Sequence, residues 1–201
     1  VAGRPRGGTA EKRQAILNGA STVFARDGYV RSSIESIAKE AGVSTRTIYN
    51  HFTDKASLFQ AVIQESAGRV RARHSDLIDR HLRKVTDLEA DLVDFALAFV
   101  AGNDEDAGHF ALIRQIRAES EHIPRPAVEA WLRAGLLRVR SELAARLASL
   151  PGLRLDDAEV AALHLMALVA QDPAHLDPLP PEQARAHAEA AVRAFLRGYA
   201  A

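Results

Sequence analysis

Apolar positions recur at helical spacing through Ile16, Leu17, Ala20, Val23 and Phe24, and the run stops at Asp27-Gly28, where glycine can supply a left-handed cap. Ser32, with Glu35 three residues on, reads as a capping box. It opens a short helix carrying Ile34, Ile37, Ala38 and Ala41, which closes at Gly42. After the tight turn Gly42-Val43-Ser44, Ser44 can cap a third helix bearing Ile48, Tyr49 and Phe52, with Val43 packed under the turn. Two short helices joined by about three residues that include glycine form the helix-turn-helix pattern.

Asp54 caps a long fourth helix with an apolar stripe through Leu58, Val62, Val70, Leu77, Ile78 and Val85 and an arginine-rich opposite side. Further helical periods cover 87–101, 105–120, 126–150 with a break at Gly135, 156–171 and 181–199. Gly102 to Asp106, Ile123 to Pro126, Pro151-Gly152 and Asp172 to Pro181 separate them. No segment alternates with the period of a strand. The expected fold is all-α: an N-terminal three-helix helix-turn-helix domain over residues 1–54, then a larger helical domain over 55–201.

Composition narrows the function. Of the 201 residues 47% are hydrophobic, enough for one large core or two small ones. Lys+Arg and Asp+Glu balance at 26 each, which argues against a uniformly basic nucleic-acid binder. The distribution is uneven, because residues 1–55 carry nine basic side chains against five acidic ones. With no cysteine there is no disulfide, no cysteine zinc site and no thiol nucleophile. No apolar run approaches the roughly 20 residues needed to span a bilayer. Val1 to Gly8 carries Arg4 and Arg6 but no apolar stretch behind them, so no secretory signal is expected and the cytoplasm is the expected location. The metalloprotease, serine-hydrolase, P-loop and dinucleotide fingerprints are absent, so no enzyme, cofactor or resident metal is expected.

The block from Arg13 to Phe59 resembles the DNA-binding domain of the TetR (tetracycline-repressor) family, through Phe24, Gly28-Tyr29, Ile37-Ala38, Ala41-Gly42-Val43-Ser44, Ile48-Tyr49, His51-Phe52, Lys55 and Leu58. From about residue 109 onward the chain also resembles the AefR-like branch. The resemblance implies a repressor-type regulator, a homodimer on a palindromic duplex operator, and a C-terminal ligand-sensing body. In a helix-turn-helix the second helix enters the major groove, and here it begins with Thr45, Arg46 and Thr47 after Ser44. Arg46 stands where the family often has glycine; its fork can read O6 and N7 of a guanine or lie across the backbone on phosphate. Tyr49 and His51 resemble the family's phosphate-contacting pair, although Tyr49 can equally be core and His51 a cap. Lys55 resembles the phosphate-binding lysine, and Ser32 or Ser33 is expected to bond phosphate from the second helix.

For the body, residues 160–171 read VAALHLMALVAQ, apolar around nearly the whole circumference, which calls for burial on two sides. The last helix carries a stripe with Ala188, Val192, Phe195 and Tyr199. Together with Leu163 and Ala167 these are the expected dimer contacts. The candidate lining for an unidentified, mostly apolar ligand is His74, His81, Phe95, Phe99, Phe110, Ile113, Trp131 and His164, against the alternative that this is plain core. A metal sensor built from His74 and His81 with Glu119 or His122, or a regulator without ligand response, are the other readings.

Overall fold

The computed structural model describes residues 8–101, 104–119, 121–170 and 179–201, with 104–107 in backbone only. Arg4, Arg6, Gly102, Asn103 and the run from Asp172 to Pro178 therefore lie outside the described residues. Among those described, the chain forms ten helices: α1 (Thr9–Arg31), α2 (Ile34–Ala41), α3 (Thr45–Tyr49), α4 (Lys55–Leu82), α5 (Leu88–Val100), α6 (Asp104–Ala118), α7 (Arg125–Ala134), α8 (Leu136–Ala148), α9 (Ala158–Val169) and α10 (Pro181–Tyr199). The all-α expectation and the break at Gly135 hold. α4 stops at Leu82, so Val85 sits beyond its end, half-buried against the core.

Two local expectations shift. α1 is not closed at Gly28 but continues to Arg31 across a kink there, with φ 80° and ψ 176°. The N-cap of α2 is Ser33, not Ser32: Ser33 Oγ accepts the Ser36 N–H at 3.1 Å. Ser32 cannot take that position because its side chain is turned inward, 5% exposed, with the hydroxyl donating to the Tyr29 carbonyl at 2.8 Å.

The chain divides into two compact units, which do not follow the boundary between residues 54 and 55. The first holds the described residues up to Val70 together with those between Asn103 and Gly135. Ile16, Phe24, Ile37, Ile48, Leu58 and Phe59 are buried there with Leu112 and Ile116 of α6 and Ile123 before α7. Phe24 meets Phe59 edge to face at 4.9 Å, a favourable arrangement of ring quadrupoles. α1 and α2 touch at Gly19, where a Cβ would stand 2.8 Å from the Cβ and backbone nitrogen of Ala41. Only glycine allows that approach.

The second unit holds Arg71–Gly102 and Leu136–Ala201. Leu92 and Phe95 of α5, Leu143 and Leu147 of α8, Leu165 of α9 and Val192 and Phe195 of α10 form its core. α10 packs on both α5 and α9, and α8 packs on α9. The chain end is tied down by Arg154 N–H to the Tyr199 carbonyl at 2.8 Å and Ala201 N–H to the Gly152 carbonyl at 3.0 Å.

Candidate nucleic-acid interface

α3 is a five-residue helix held by its ends and its underside. Gly42, at φ 66°, closes α2, and Val43 N–H reaches back to the Ala38 carbonyl at 3.0 Å. Ser44 Oγ then accepts the Thr47 N–H at 3.1 Å and bonds the Thr47 hydroxyl at 2.8 Å. Ile48 is fully buried beneath. That anchoring leaves the other side outward: Arg46 is exposed, Thr45 and Thr47 are half-buried, and Tyr49 is 55% exposed, which removes the core alternative for Tyr49. The Arg46 side chain makes no hydrogen bond or ion pair among the described residues. His51 follows in the turn, half-buried, its ring 6.4 Å from that of Phe52.

Lys55 also reaches into the protein. Its Nζ lies 2.8 Å from the Tyr29 carbonyl, 3.0 Å from that of Ser32 and 3.4 Å from that of Val30, and 4.6 Å from the centre of the Tyr29 ring. An ammonium has three donors. Its neighbours are carbonyls that the end of α1 leaves without helical partners. Ser32 is removed from the outward set, because its hydroxyl is buried against Tyr29. Ser33 remains half-exposed at the N-terminus of α2.

The same turn is held from a second direction, which no local pattern in the sequence signals. Glu119, just past α6, accepts the Val30 N–H through Oε2 at 2.9 Å, and its carboxylate packs against Gly28 where a Cβ would collide with it. Four carbonyl or amide groups of the α1–α2 turn are thus held by a lysine from α4 and a carboxylate beside α6. Burial, with the Asp54 charge adding, raises the Tyr29 phenol above its ordinary value. Glu35 is lowered by its own backbone N–H and by Ser33, and Asp27 by its hydrogen bond from Arg26.

The body residues separate. Phe110, Ile113 and Trp131 belong to the first unit, and His74, His81, Phe95, Phe99 and His164 to the second. His74 stacks on Phe99 at 4.3 Å and Phe99 meets Phe95 at 5.3 Å, which makes one continuous aromatic contact. His81 is half-buried beside the end of α4. Phe110 is 43% exposed, and His164 lies on the outward side of α9, with Nδ1 2.6 Å from the Tyr199 hydroxyl. A groove of about 380 Å³ in the second unit is lined by Ser75, Asp79, Glu142 and Arg146 rather than by any of these eight. It is crossed by ion pairs, Arg71 to Glu142 and Arg146 to Asp79. Among the described residues no group of three or more His, Cys, Asp or Glu is placed to hold a metal.

For the dimer candidates, Leu163 is 47% exposed and Ala167 is exposed beside Val160 and Leu168, an apolar outward face. Ala188, Val192 and Phe195 are instead buried in the protomer's own core, at 2% exposure or less. The apolar stripe of α10 points inward, because it has α5 and α9 to cover. The outward side of α10 consists of Ala186, Ala190, Ala194 and Gly198 among arginines, and Tyr199 is half-buried at its edge.

Residues 16–62 match the family described as "Bacterial regulatory proteins, tetR family", and residues 90–201 match the "AefR-like transcriptional repressor, C-terminal domain". The chain belongs to the TetR family. It is similar to the HTH-type transcriptional regulator UidR of Escherichia coli, with 30% identity over 116 residues, 57% of this chain and 55% of that one. The matched stretch therefore spans about half the length of that curated relative. A structure described as a TetR-family transcriptional regulator from Mesorhizobium loti superposes with a TM-score of 0.84 at 27% identity, covering 98% of this chain and 100% of the other. The flavonoid-responsive regulator FrrA superposes at 0.72 with 25% identity, covering 95% and 98%. No helix among the described residues of this TetR-family chain is long and apolar enough to cross a membrane.

Proposed function

We propose that the chain is a sequence-specific DNA-binding transcriptional repressor of the cytoplasm, acting as a homodimer on a palindromic operator and released from it by a small, mostly apolar molecule. The observation that carries this reading is the outward side of α3, with an unpaired, exposed Arg46 between Thr45 and Thr47 on a helix anchored from below by Ile48. A free guanidinium fork suits O6 and N7 of guanine in the major groove. Ser44, Thr45 and Thr47 border it, while Tyr49, His51 and Ser33 take phosphates and fix the register. Residues 1–54 serve as the DNA-binding domain and 55–201 as the ligand-binding and dimerisation domain. Leu163 and Ala167 meet the second copy, with the small outward residues of α10 in place of Ala188, Val192 and Phe195.

The ligand part draws support from the name of FrrA, which responds to flavonoids, and from the His74, Phe99 and Phe95 contact, whose stacked rings suit an aromatic molecule. Selection from randomised duplexes with the purified full chain tests the core of the reading. The expected outcome is enrichment of one palindromic site whose half-site centres lie about 34 to 36 Å apart or a multiple of that. A pool that stays random after repeated rounds overturns it.

A further inference from the structure

Two charged side chains from distant parts of the chain hold opposite ends of one peptide group, the Tyr29–Val30 peptide in the turn between α1 and α2. Its N–H donates to Glu119 Oε2 at 2.9 Å, and its carbonyl accepts from Lys55 Nζ at 2.8 Å. The peptide is trans and planar, so its N–H and C=O point in opposite directions and cannot turn independently. Whatever fixes the N–H therefore fixes the carbonyl on which the ammonium rests. The carboxylate also polarises the peptide, which makes that carbonyl a stronger acceptor.

Glu119 is itself held in place. Its N–H bonds the Gln115 carbonyl at 2.9 Å, and its carbonyl accepts the His122 N–H at 2.8 Å. Ile116 and Ile123 on either side are buried with Phe24 and Phe59 in the core of the first unit. Gly28 leaves the space that the carboxylate fills, since a Cβ there would collide with Glu119 and stand 3.0 Å from Gln115 Oε1. At the other end of the peptide, Lys55 is half-buried. Its contacts to the Tyr29 and Ser32 carbonyls, at 2.8 and 3.0 Å, are of ordinary length, whereas the one to Val30, at 3.4 Å, lies beyond the usual range. Two bonds seat the ammonium, and its third donor is only loosely engaged and open to an anion.

We infer that Glu119 is a positioning residue for DNA binding: through the Tyr29–Val30 peptide it sets the place of the Lys55 ammonium, whose loosely held donor meets a backbone phosphate. The partner class is the phosphodiester of duplex DNA. The assignment rests on the DNA-binding reading above and on the lysine that the family resemblance marks for phosphate. It adds a residue from beyond the end of α6, outside the helix-turn-helix. The sign of its effect is diagnostic. By charge alone a carboxylate repels phosphate, so its removal would strengthen binding. A positioning role requires the reverse.

The test measures affinity of the full chain for its selected duplex, at a temperature where circular dichroism shows each variant folded. Glu119→Ala should weaken binding by at least about twofold, the low end of coupling within one hydrogen-bond network. In a Lys55→Ala background the same change should weaken it no further. Glu119→Gln, which keeps an acceptor oxygen at the same reach and loses the charge, should bind like wild type. Glu119→Asp, which keeps the charge but is one methylene shorter, should bind as weakly as Glu119→Ala.

A Glu119→Ala protein that binds as tightly as wild type, or more tightly, overturns the proposal. So does a loss by the same factor in the wild-type and Lys55→Ala backgrounds, which would mean that the domain is disturbed as a whole, and so does a Lys55→Ala protein with wild-type affinity. Should Glu119→Ala not fold, the other two variants decide: Glu119→Asp at wild-type affinity, or Glu119→Gln as weak as Glu119→Asp, sinks the assignment. Wild-type protein that prefers no duplex removes the DNA-binding reading itself, an outcome distinct from these.

Discussion

At the scale of single residues, two cations in the same small domain have opposite surroundings, and this decides what each can do. The Arg46 side chain is exposed and without a partner among the described residues, so the fold gains little from it. Arg46→Ala should leave the unfolding midpoint in urea unchanged and, if the fork reads a guanine, cost about 1 to 3 kcal/mol at one base position only. A loss equal across all single-base variants of the site would make it a phosphate contact. Lys55 is the reverse case. Its removal leaves the carbonyls of Tyr29, Val30 and Ser32 without their charged donor. Lys55→Ala should therefore destabilise the fold by about 1.5 to 3 kcal/mol, the range for hydrogen bonds to a charged group, as read from urea unfolding. The sequence points only to phosphate for this lysine, because the carbonyls it meets come from a turn 23 to 26 residues earlier in the chain.

At the scale of elements, helices are legible wherever one side packs and a capping residue marks the end. Ser44 caps α3, Asp87 caps α5 and Asp157 caps α9 through local hydrogen bonds that a linear pattern can express. Pairings between distant segments are not legible in this way. Gly28 has the local pattern of a helix stop. It is also the point where α1 yields to Glu119, a partner 91 positions away that no local spacing predicts. Its φ of 80° with ψ of 176° lies in a region essentially confined to glycine, and the Glu119 carboxylate occupies the space of a Cβ. Gly28→Ala should destabilise the protein by roughly 1 to 3 kcal/mol through backbone strain, with the collision added. Because the collision and the Val30 hydrogen bond share Glu119, Gly28→Ala with Glu119→Ala should be less destabilising than the two single effects added together. Strict additivity in urea unfolding would show that the carboxylate gives way freely. α10 misleads for a different reason. Its hydrophobic stripe suits an interface between copies, yet a stripe marks only that something covers it, and here the cover is α5 and α9.

At the scale of the whole molecule, assembly must use what the protomer leaves uncovered. A five-residue recognition helix can touch few base pairs, and a two-fold pair doubles the site and ties operator symmetry to protein symmetry. In such a pair each residue near the axis faces its own copy or a close neighbour of it. Val160, Leu163 and Leu168 on α9, exposed at 41, 47 and 38%, are large apolar side chains left uncovered, and α10, which packs on α9, exposes the small residues Ala190 and Ala194. Leu163→Asp with Ala194→Asp should put like charges on both sides of the symmetric contact, where each lacks a compensating partner and loses its water. Both positions are exposed in the protomer, so helix content by circular dichroism should stay intact while light scattering gives the mass of one chain. Binding to the selected palindrome should fall towards that of a single half-site. Phe195→Asp provides the contrast: that side chain is 1% exposed among Leu92, Leu165 and Val192, so the change should unfold the second unit rather than divide a dimer. A double mutant that scatters as a dimer at unchanged stability moves the interface off α9 and α10, and a folded Phe195→Asp monomer would restore the inward stripe as the contact surface.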